Sequence, residues 1–261
     1  MIVLALDFDG VVSDSAGEAF VVATKTYLDM CPESLLFQGD PRSWTPSEVE
    51  NSPLYRSFVE LMALGNRAED FGVALAALES QVVVESQQDY DDFRGAQASE
   101  FLESFHRHFY EARSDWSFRD PDGWRSWMKP YASFLEILER RSSEARLAIV
   151  TAKDRASVRS LLSSYGVASL FPDSLVFDKE VGVSKCAHLE LLRDRLDCAF
   201  EGIVFIDDKV KHLHEVSRLG VRCGLATWGY NGPREVAEAR RSGHLVLGLD
   251  DVEDQVFGTP L

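Results

Sequence analysis

Short, unbroken apolar runs recur along this 261-residue chain, and several close on a polar or acidic residue. They are Ile2–Leu6, Leu147–Val150, Leu175–Phe177, Ile203–Ile206, Val221–Ala226 and Leu245–Leu249. A run of that length with no polar face predicts a strand buried on both sides, as in a parallel sheet. Between the later runs the period becomes helical. Val158, Leu161, Leu162 and Tyr165 share one face and are followed by Gly166. Leu189, Leu192 and Leu196 form a second stripe. Val210, Leu213, Val216 and Leu219 form a third, followed by Gly220. Glycine in that place takes the left-handed turn that ends a helix. Strand–helix alternation from about residue 131 onward predicts a doubly wound α/β sheet.

Residues 16–127 carry a different pattern. Ala16, Ala19, Phe20, Ala23 and Tyr27 fall on one helical face, as do Phe71, Leu75, Leu78 and Val82, and Phe101, Phe105 and Phe109. No alternating strand, internal repeat or low-complexity tract interrupts them. Turn-forming residues gather at Gly39–Trp44 and Ser114–Trp124. The predicted division is an α/β core of residues 1–15 and 128–261, its sheet resuming near Pro130, with a helical cap of residues 16–127 inserted after the first strand. The insertion leaves from the C-terminal end of a strand, where α/β sheets place ligands. That position favours a lid over the site above a separate domain with unrelated work.

Hydrophobic residues make up 45% and charged residues 27%, the composition of an ordinary globular protein. Net charge is −16, a field that repels nucleic acid and anionic membranes, so neither is a predicted partner. A phosphate substrate stays admissible, because a bound cation and local lysines invert the field inside one pocket. Cys31, Cys186, Cys198 and Cys223 form no CxxC pair and no zinc spacing, which predicts reduced thiols in a cytoplasmic protein. The N-terminus reads as a strand and not as a signal peptide, and no stretch is long and apolar enough to span a bilayer. Oligomeric state is not legible.

The candidate chemistry lies where the apolar runs end. Asp7-Phe8-Asp9-Gly10 closes the first run, and Asp207-Asp208 follows Ile203-Val204-Phe205-Ile206. Strand alternation puts Asp7 and Asp9 on one side if the strand persists. Carboxylates so close repel, so one holds a proton or a cation sits between them. Either acidic pair alone has a plain alternative, a turn for the first and a helix cap for the second. Four carboxylates at the ends of two buried strands together suit Mg²⁺, a hard cation that prefers oxygen ligands. Thr151 follows another run. Its hydroxyl and the N–H of Ala152 would face a helix N-terminus, a natural anion site, or Thr151 simply caps that helix. Lys185 stands at a predicted helix start.

Taken together, these segments resemble the haloacid dehalogenase (HAD) superfamily of phosphatases. Asp7-Phe8-Asp9-Gly10-Val11-Val12-Ser13-Asp14-Ser15 is similar to its first motif, Ile149-Val150-Thr151 to its second, Lys185 to its third and Ile206-Asp207-Asp208 to its fourth. The likeness covers residues 1–15 and roughly 130–230, and the insertion has the position and helical character of the family's first-type cap. The resemblance implies Asp7 as nucleophile and Asp9 as general acid and then base. It implies Mg²⁺ on Asp7, the Asp9 carbonyl and Asp208, with Asp207 beside it, and a transferring phosphoryl group held by Thr151, Ala152 and Lys185. Many relatives follow the third-motif lysine with proline, where this chain has Cys186, so Lys179 competes with Lys185. The second acid, Asp9, favours phosphate esters over halide or phosphonate chemistry.

The implied function is Mg²⁺-dependent hydrolysis of a small phosphorylated metabolite through an aspartyl-phosphate. The alternatives are a phosphotransferase or phosphomutase on a sugar phosphate, and a non-catalytic module that binds a phosphorylated ligand. Trp44, Trp116, Trp124 and Trp127 read as packing residues. His106 and His108 read as surface or packing residues, and Arg113, Arg119 and Arg125 as solvated arginines. Asp14 is predicted to fix the turn that leaves the core.

Overall fold

The structure, a computed structural model, describes residues 2–37, 44–65 and 67–258, so residues 39–43 of the turn expected over 39–44 lie outside the described residues. The chain forms two compact units, one of Met1–Asp14 with Lys129–Leu261 and one of Ser15–Met128. In the first, strands β1 (Ile2–Leu6), β2 (Ser13–Asp14), β3 (Lys129–Pro130), β4 (Ala145–Val150), β5 (Val176–Phe177), β6 (Ile203–Asp207), β7 (Arg222–Ala226) and β8 (Leu245–Leu247) follow in chain order. Six of them make a parallel sheet in the order β5-β4-β1-β6-β7-β8. Leu4, at its centre, is level with Leu147 of β4 and Val204 of β6. The sheet resumes at Ala145 and not near Pro130. Pro130 belongs instead to a small antiparallel ribbon in which Ser13 faces Pro130 and Asp14 faces Lys129.

The second unit is helical: α1 (Ala16–Met30), α2 (Pro46–Asn51), α3 (Pro53–Met62), α4 (Ala68–Glu79), α5 (Gln87–Gly95), α6 (Ser99–Arg119) and α7 (Pro121–Arg125). Its core is aromatic. Phe20 meets Trp44, Tyr55 and Phe58 at ring separations of 5.9, 5.4 and 5.1 Å, and Phe71 bridges Phe58 and Phe109. Gly72 lets α4 approach α6, since a Cβ there would lie 2.7 Å from the Phe105 ring. Three expectations fail here. Helix α4 ends at Glu79, so Val82 lies beyond it and is exposed. No turn opens at Ser114. Nothing between Ser114 and Arg119 breaks a helix, and the break comes at Asp120, just ahead of Pro121. Trp124 is buried, consistent with packing, but Arg113 is no solvated arginine: it grips Glu18, which is 0% exposed.

Helices α8 (Ala132–Arg140), α9 (Arg155–Ser164), α10 (Lys185–Leu196), α11 (Val210–Ser217), α12 (Pro233–Arg241) and α13 (Val252–Phe257) belong to the sheet unit. Leu189 and Leu192 of α10 and Leu213 and Val216 of α11 pack with Ala5, Val150 and Phe205. Gly166 and Gly220, at φ of 79° and 86°, follow α9 and α11 in the left-handed conformation expected of them. Because the sheet is parallel and β1 lies between β4 and β6, the C-terminal ends of these three strands open side by side. All four cysteines are free thiols. Among the described residues, no helix is long and apolar enough to cross a membrane.

Candidate active site

Asp7 immediately follows β1, and its N–H donates to the Ile206 carbonyl at 2.9 Å, which ties it to β6. Its Oδ1 accepts the Phe8 N–H at 2.7 Å and lies 2.7 Å from Lys185 Nζ. The chain then turns. The Phe8 carbonyl accepts the N–H groups of Val12 and Ser13, both at 2.9 Å, and Gly10 adopts a φ of 83°. Strand geometry stops at Leu6, so Asp9 takes a partner of its own: Oδ1 lies 3.0 Å from Lys153 Nζ. Asp14 accepts a hydrogen bond from the Tyr230 hydroxyl at 3.1 Å.

Thr151 and Ala152 leave β4. Thr151 is not a helix cap. Helix α9 begins at Arg155, and Asp154 caps it by accepting the Ser157 N–H at 2.8 Å. Thr151 Oγ1 instead accepts the Lys153 N–H at 3.1 Å, while Ala152 is exposed. Lys185 opens α10, with Ser184 as cap. Its Nζ donates to the Val150 carbonyl at 2.7 Å and lies 3.5 Å from Asp207 Oδ2, so one buried lysine joins the ends of β1, β4 and β6. Lys179 is exposed.

Neither Asp207 nor Asp208 caps α11; that place is held by Lys209, with no side-chain cap bond. Asp207 Oδ1 accepts the Lys209 N–H at 2.9 Å, and Oδ2 pairs with His212 Nδ1 at 2.9 Å. Asp208 Oδ2 accepts the Tyr230 N–H at 2.8 Å and lies 3.5 Å from Lys209 Nζ. Its Oδ1 is buried with no hydrogen-bond partner among the described residues. Glycines cradle this carboxylate: a Cβ at Gly10 would come within 2.6 Å of it, and one at Gly229 within 2.4 Å of the Asp208 Cβ.

The electrostatics follow from burial. Burial pushes the Asp7 carboxyl up, with Lys185 opposing. Burial also raises Asp208, to about 7, against Lys209 and with help from Asp207 and Asp7. For Asp207 burial acts upward too, but His212 and Lys185 outweigh it and hold the group below the ordinary carboxylate range. Lys185 has the converse balance: burial lowers it, and Asp7 with Asp207 more than restores it.

A divalent cation fits this donor set. Asp7, Asp207 and His212 offer ligand atoms within 4.8 Å of one another. Lys185 already holds Asp7 Oδ1 and approaches Asp207 Oδ2, however, and His212 and the Lys209 N–H engage Asp207 as well. The unpartnered Asp208 Oδ1 is therefore the better donor, with an oxygen chemistry that suits Mg²⁺. Sequence reasoning singled out Asp7, Asp9, Thr151, Lys185, Asp207 and Asp208, and the strand ends gather them. It passed over Lys153, Lys209, His212, Gly229 and Tyr230. One signal was available for the last two, the turn-rich segment Trp228-Gly229-Tyr230-Asn231-Gly232 directly after a buried strand.

No protein-family model and no curated protein matches the sequence. Solved structures do. A Lactobacillus delbrueckii protein with a provisional assignment as a phosphoglycolate phosphatase is 12% identical over 99% of this chain and 100% of its own, with a TM-score of 0.70. A haloacid dehalogenase-like hydrolase from Streptococcus pneumoniae is 13% identical, covers 99% of each chain and has a TM-score of 0.60. A HAD-family hydrolase from Deinococcus radiodurans, described with bound phosphate and sodium, is 16% identical over 98% of this chain and 95% of its own, with a TM-score of 0.57. At these identities the likeness is one of fold, and the chain has the HAD-like hydrolase fold.

Proposed function

We propose that this protein is a phosphatase that hydrolyses a small phosphorylated metabolite through an aspartyl-phosphate on Asp7. The observation that carries the reading is the buried Asp7–Lys185 pair set beside the partnerless Asp208 oxygen. A nucleophile held on a cation, next to a carboxylate with a donor atom to spare, is what attack on an anionic phosphoryl group requires. The fold it shares with a protein provisionally assigned as a phosphatase, and with a HAD-family hydrolase described with bound phosphate, agrees with that.

Asp7 attacks phosphorus as the bond to the leaving oxygen breaks, and Asp9 gives its proton to that oxygen. A water then attacks the phosphoaspartate, Asp9 takes the proton back, and Asp7 is released. Two easier displacements replace one difficult step. The Thr151 hydroxyl and the Ala152 N–H donate to the phosphoryl oxygens, and Lys185 offsets charge on both partners. Asp7, the Asp9 carbonyl and Asp208 would hold Mg²⁺, with Asp207 beside them. Bound there, the ion supplies the positive charge that an anionic nucleophile and an anionic ester need in order to meet.

The test is phosphate release from p-nitrophenyl phosphate and a panel of phosphorylated metabolites, with Mg²⁺ and with chelator. It is joined to borohydride trapping of the acid-quenched enzyme. Metal-dependent release, with Asp7 as the trapped residue, is expected. A good substrate whose turnover ignores chelator, or a label on another residue, would overturn the reading.

A further inference from the structure

Lys153 has no part in the steps above, yet it is buried beside a residue that does. Its side chain is 3% exposed, against 35% for Asp9, and its ammonium nitrogen lies 3.0 Å from Asp9 Oδ1. The lysine backbone is fixed on both sides. Its N–H donates to Thr151 Oγ1 at 3.1 Å, and its carbonyl accepts the Lys179 N–H at 3.2 Å. Asp9 itself stands on the turn after β1, and its side chain is partly exposed. A buried cation on a fixed backbone holds that carboxyl group by one oxygen, and acid–base chemistry loses rate steeply when the reacting group wanders.

We propose that Lys153 is the positioning residue of Asp9. Its ammonium holds the carboxyl group in one place, and Lys153 acts on the reaction through Asp9, not by binding the phosphoryl group. The inference rests on the phosphatase reading and on the role that reading gives Asp9. In the first step the bond between Asp7 and phosphorus forms, the bond to the leaving oxygen breaks, and the Asp9 proton passes to that oxygen. An alkoxide leaving group needs this proton, whereas p-nitrophenolate leaves without it.

Single-turnover phosphorylation of Asp7 by glycerol phosphate and by p-nitrophenyl phosphate therefore separates the two roles. Lys153→Met is expected to slow the alkyl ester ~10–100-fold and the nitrophenyl ester less than ~5-fold, within the range of acid–base contributions. In the Asp9→Asn background, Lys153→Met is expected to add less than ~2-fold, because the residue it acts through is already disabled. Equal losses on both esters, or full additivity in the double variant, would overturn the proposal in favour of direct phosphoryl binding. Circular dichroism and thermal melting report whether each variant folds. Should Lys153→Met fail, Lys153→Gln enters the same cycle. If Asp7→Asn turns over both esters at the wild-type rate, the parent reading falls and this inference with it. That outcome is distinct from a wild type that works and a Lys153 variant that fails alike on both esters.

Discussion

In the helical unit Glu18 is fully buried, and its oxygens are matched by donors. Arg113 reaches it through Nε at 2.7 Å and Nη2 at 2.5 Å, and Trp124 Nε1 donates at 3.0 Å. The guanidinium also lies 4.6 Å from the centre of the Phe109 ring. One carboxylate meets one guanidinium, and the arrangement is closed. In the sheet unit three carboxylates, Asp7, Asp207 and Asp208, are buried with two lysines, Lys185 and Lys209, and Asp207 also pairs with His212. An oxygen is left over there, and the carboxyl groups are driven apart, Asp207 downward and Asp208 to about 7. Both clusters are buried ion pairs, so burial and pairing alone do not mark a site. What sets the second cluster apart is the Asp208 oxygen that has no hydrogen-bond partner among the described residues, a buried acceptor whose desolvation is not offset.

The largest loss should come at Asp7. Asp7→Asn keeps the shape and removes the nucleophile, and phosphate release should fall by ~10³-fold or more, the scale of losses when a nucleophile is deleted. Turnover close to wild type would make the charged cluster structural, like its counterpart. Next comes Arg113. Arg113→Ala strands Glu18 without a counter-charge and should cost ~3–5 kcal/mol, read by denaturant unfolding. The double variant Glu18→Leu with Arg113→Met should recover most of that loss, since a closed pair is replaceable by apolar side chains of similar volume. A double variant as unstable as Arg113→Ala would contradict the view of this pair as packing.

Which parts were legible follows from how far apart in the chain the partners lie. Asp7 and Asp207 ended continuous apolar runs, and those runs became β1 and β6, so the acids announced themselves locally. The ribbon of β2 and β3 has two residues in each strand, too few to show a period. Lys153 and Asp9 are 144 residues apart, and Tyr230 and Asp208 are 22 apart across a change of strand. Nothing near Lys153 in the sequence distinguishes it from a solvated lysine. His212 looks like any polar residue in the first turn of a helix until β6 brings Asp207 to it. Arg113 misled for the same reason, because its partner lies 95 residues away.

Asp208 sharpens the comparison further. If its unpartnered oxygen holds Mg²⁺, Asp208→Asn should weaken Mg²⁺ binding by at least ~10-fold in calorimetry, the lower end of what metal-site substitutions cost. Leaving affinity unchanged would move the ion to the Asp7, Asp207 and His212 donors.

The smallest effect expected is on stability against pH in chelator. Asp208 titrates at about 7 in the fold against 3.8 for an ordinary aspartate. Between those values the folded chain keeps a proton that the unfolded chain gives up, so stability falls as pH rises across that window and levels off above it. Asp7, also raised, acts in the same sense. Asp207 is lowered, so its contribution is lost only as pH falls below the ordinary aspartate range, outside this window. His212 is raised above its ordinary 6.5 because Asp207 outweighs the effect of burial, and its contribution also fades as pH rises through its folded value. His188 and His244, lowered by burial, act in the opposite sense there, so the contribution is read as a difference: from pH 5 to pH 7 the chelated wild type should lose stability relative to Asp208→Asn. Mg²⁺ should narrow that difference by giving the ionised carboxylate its counter-charge. Glu18→Gln is the control from the closed pair. If it flattened the slope as much as Asp208→Asn did, the Asp208 carboxyl group at the end of β6 would not be its source.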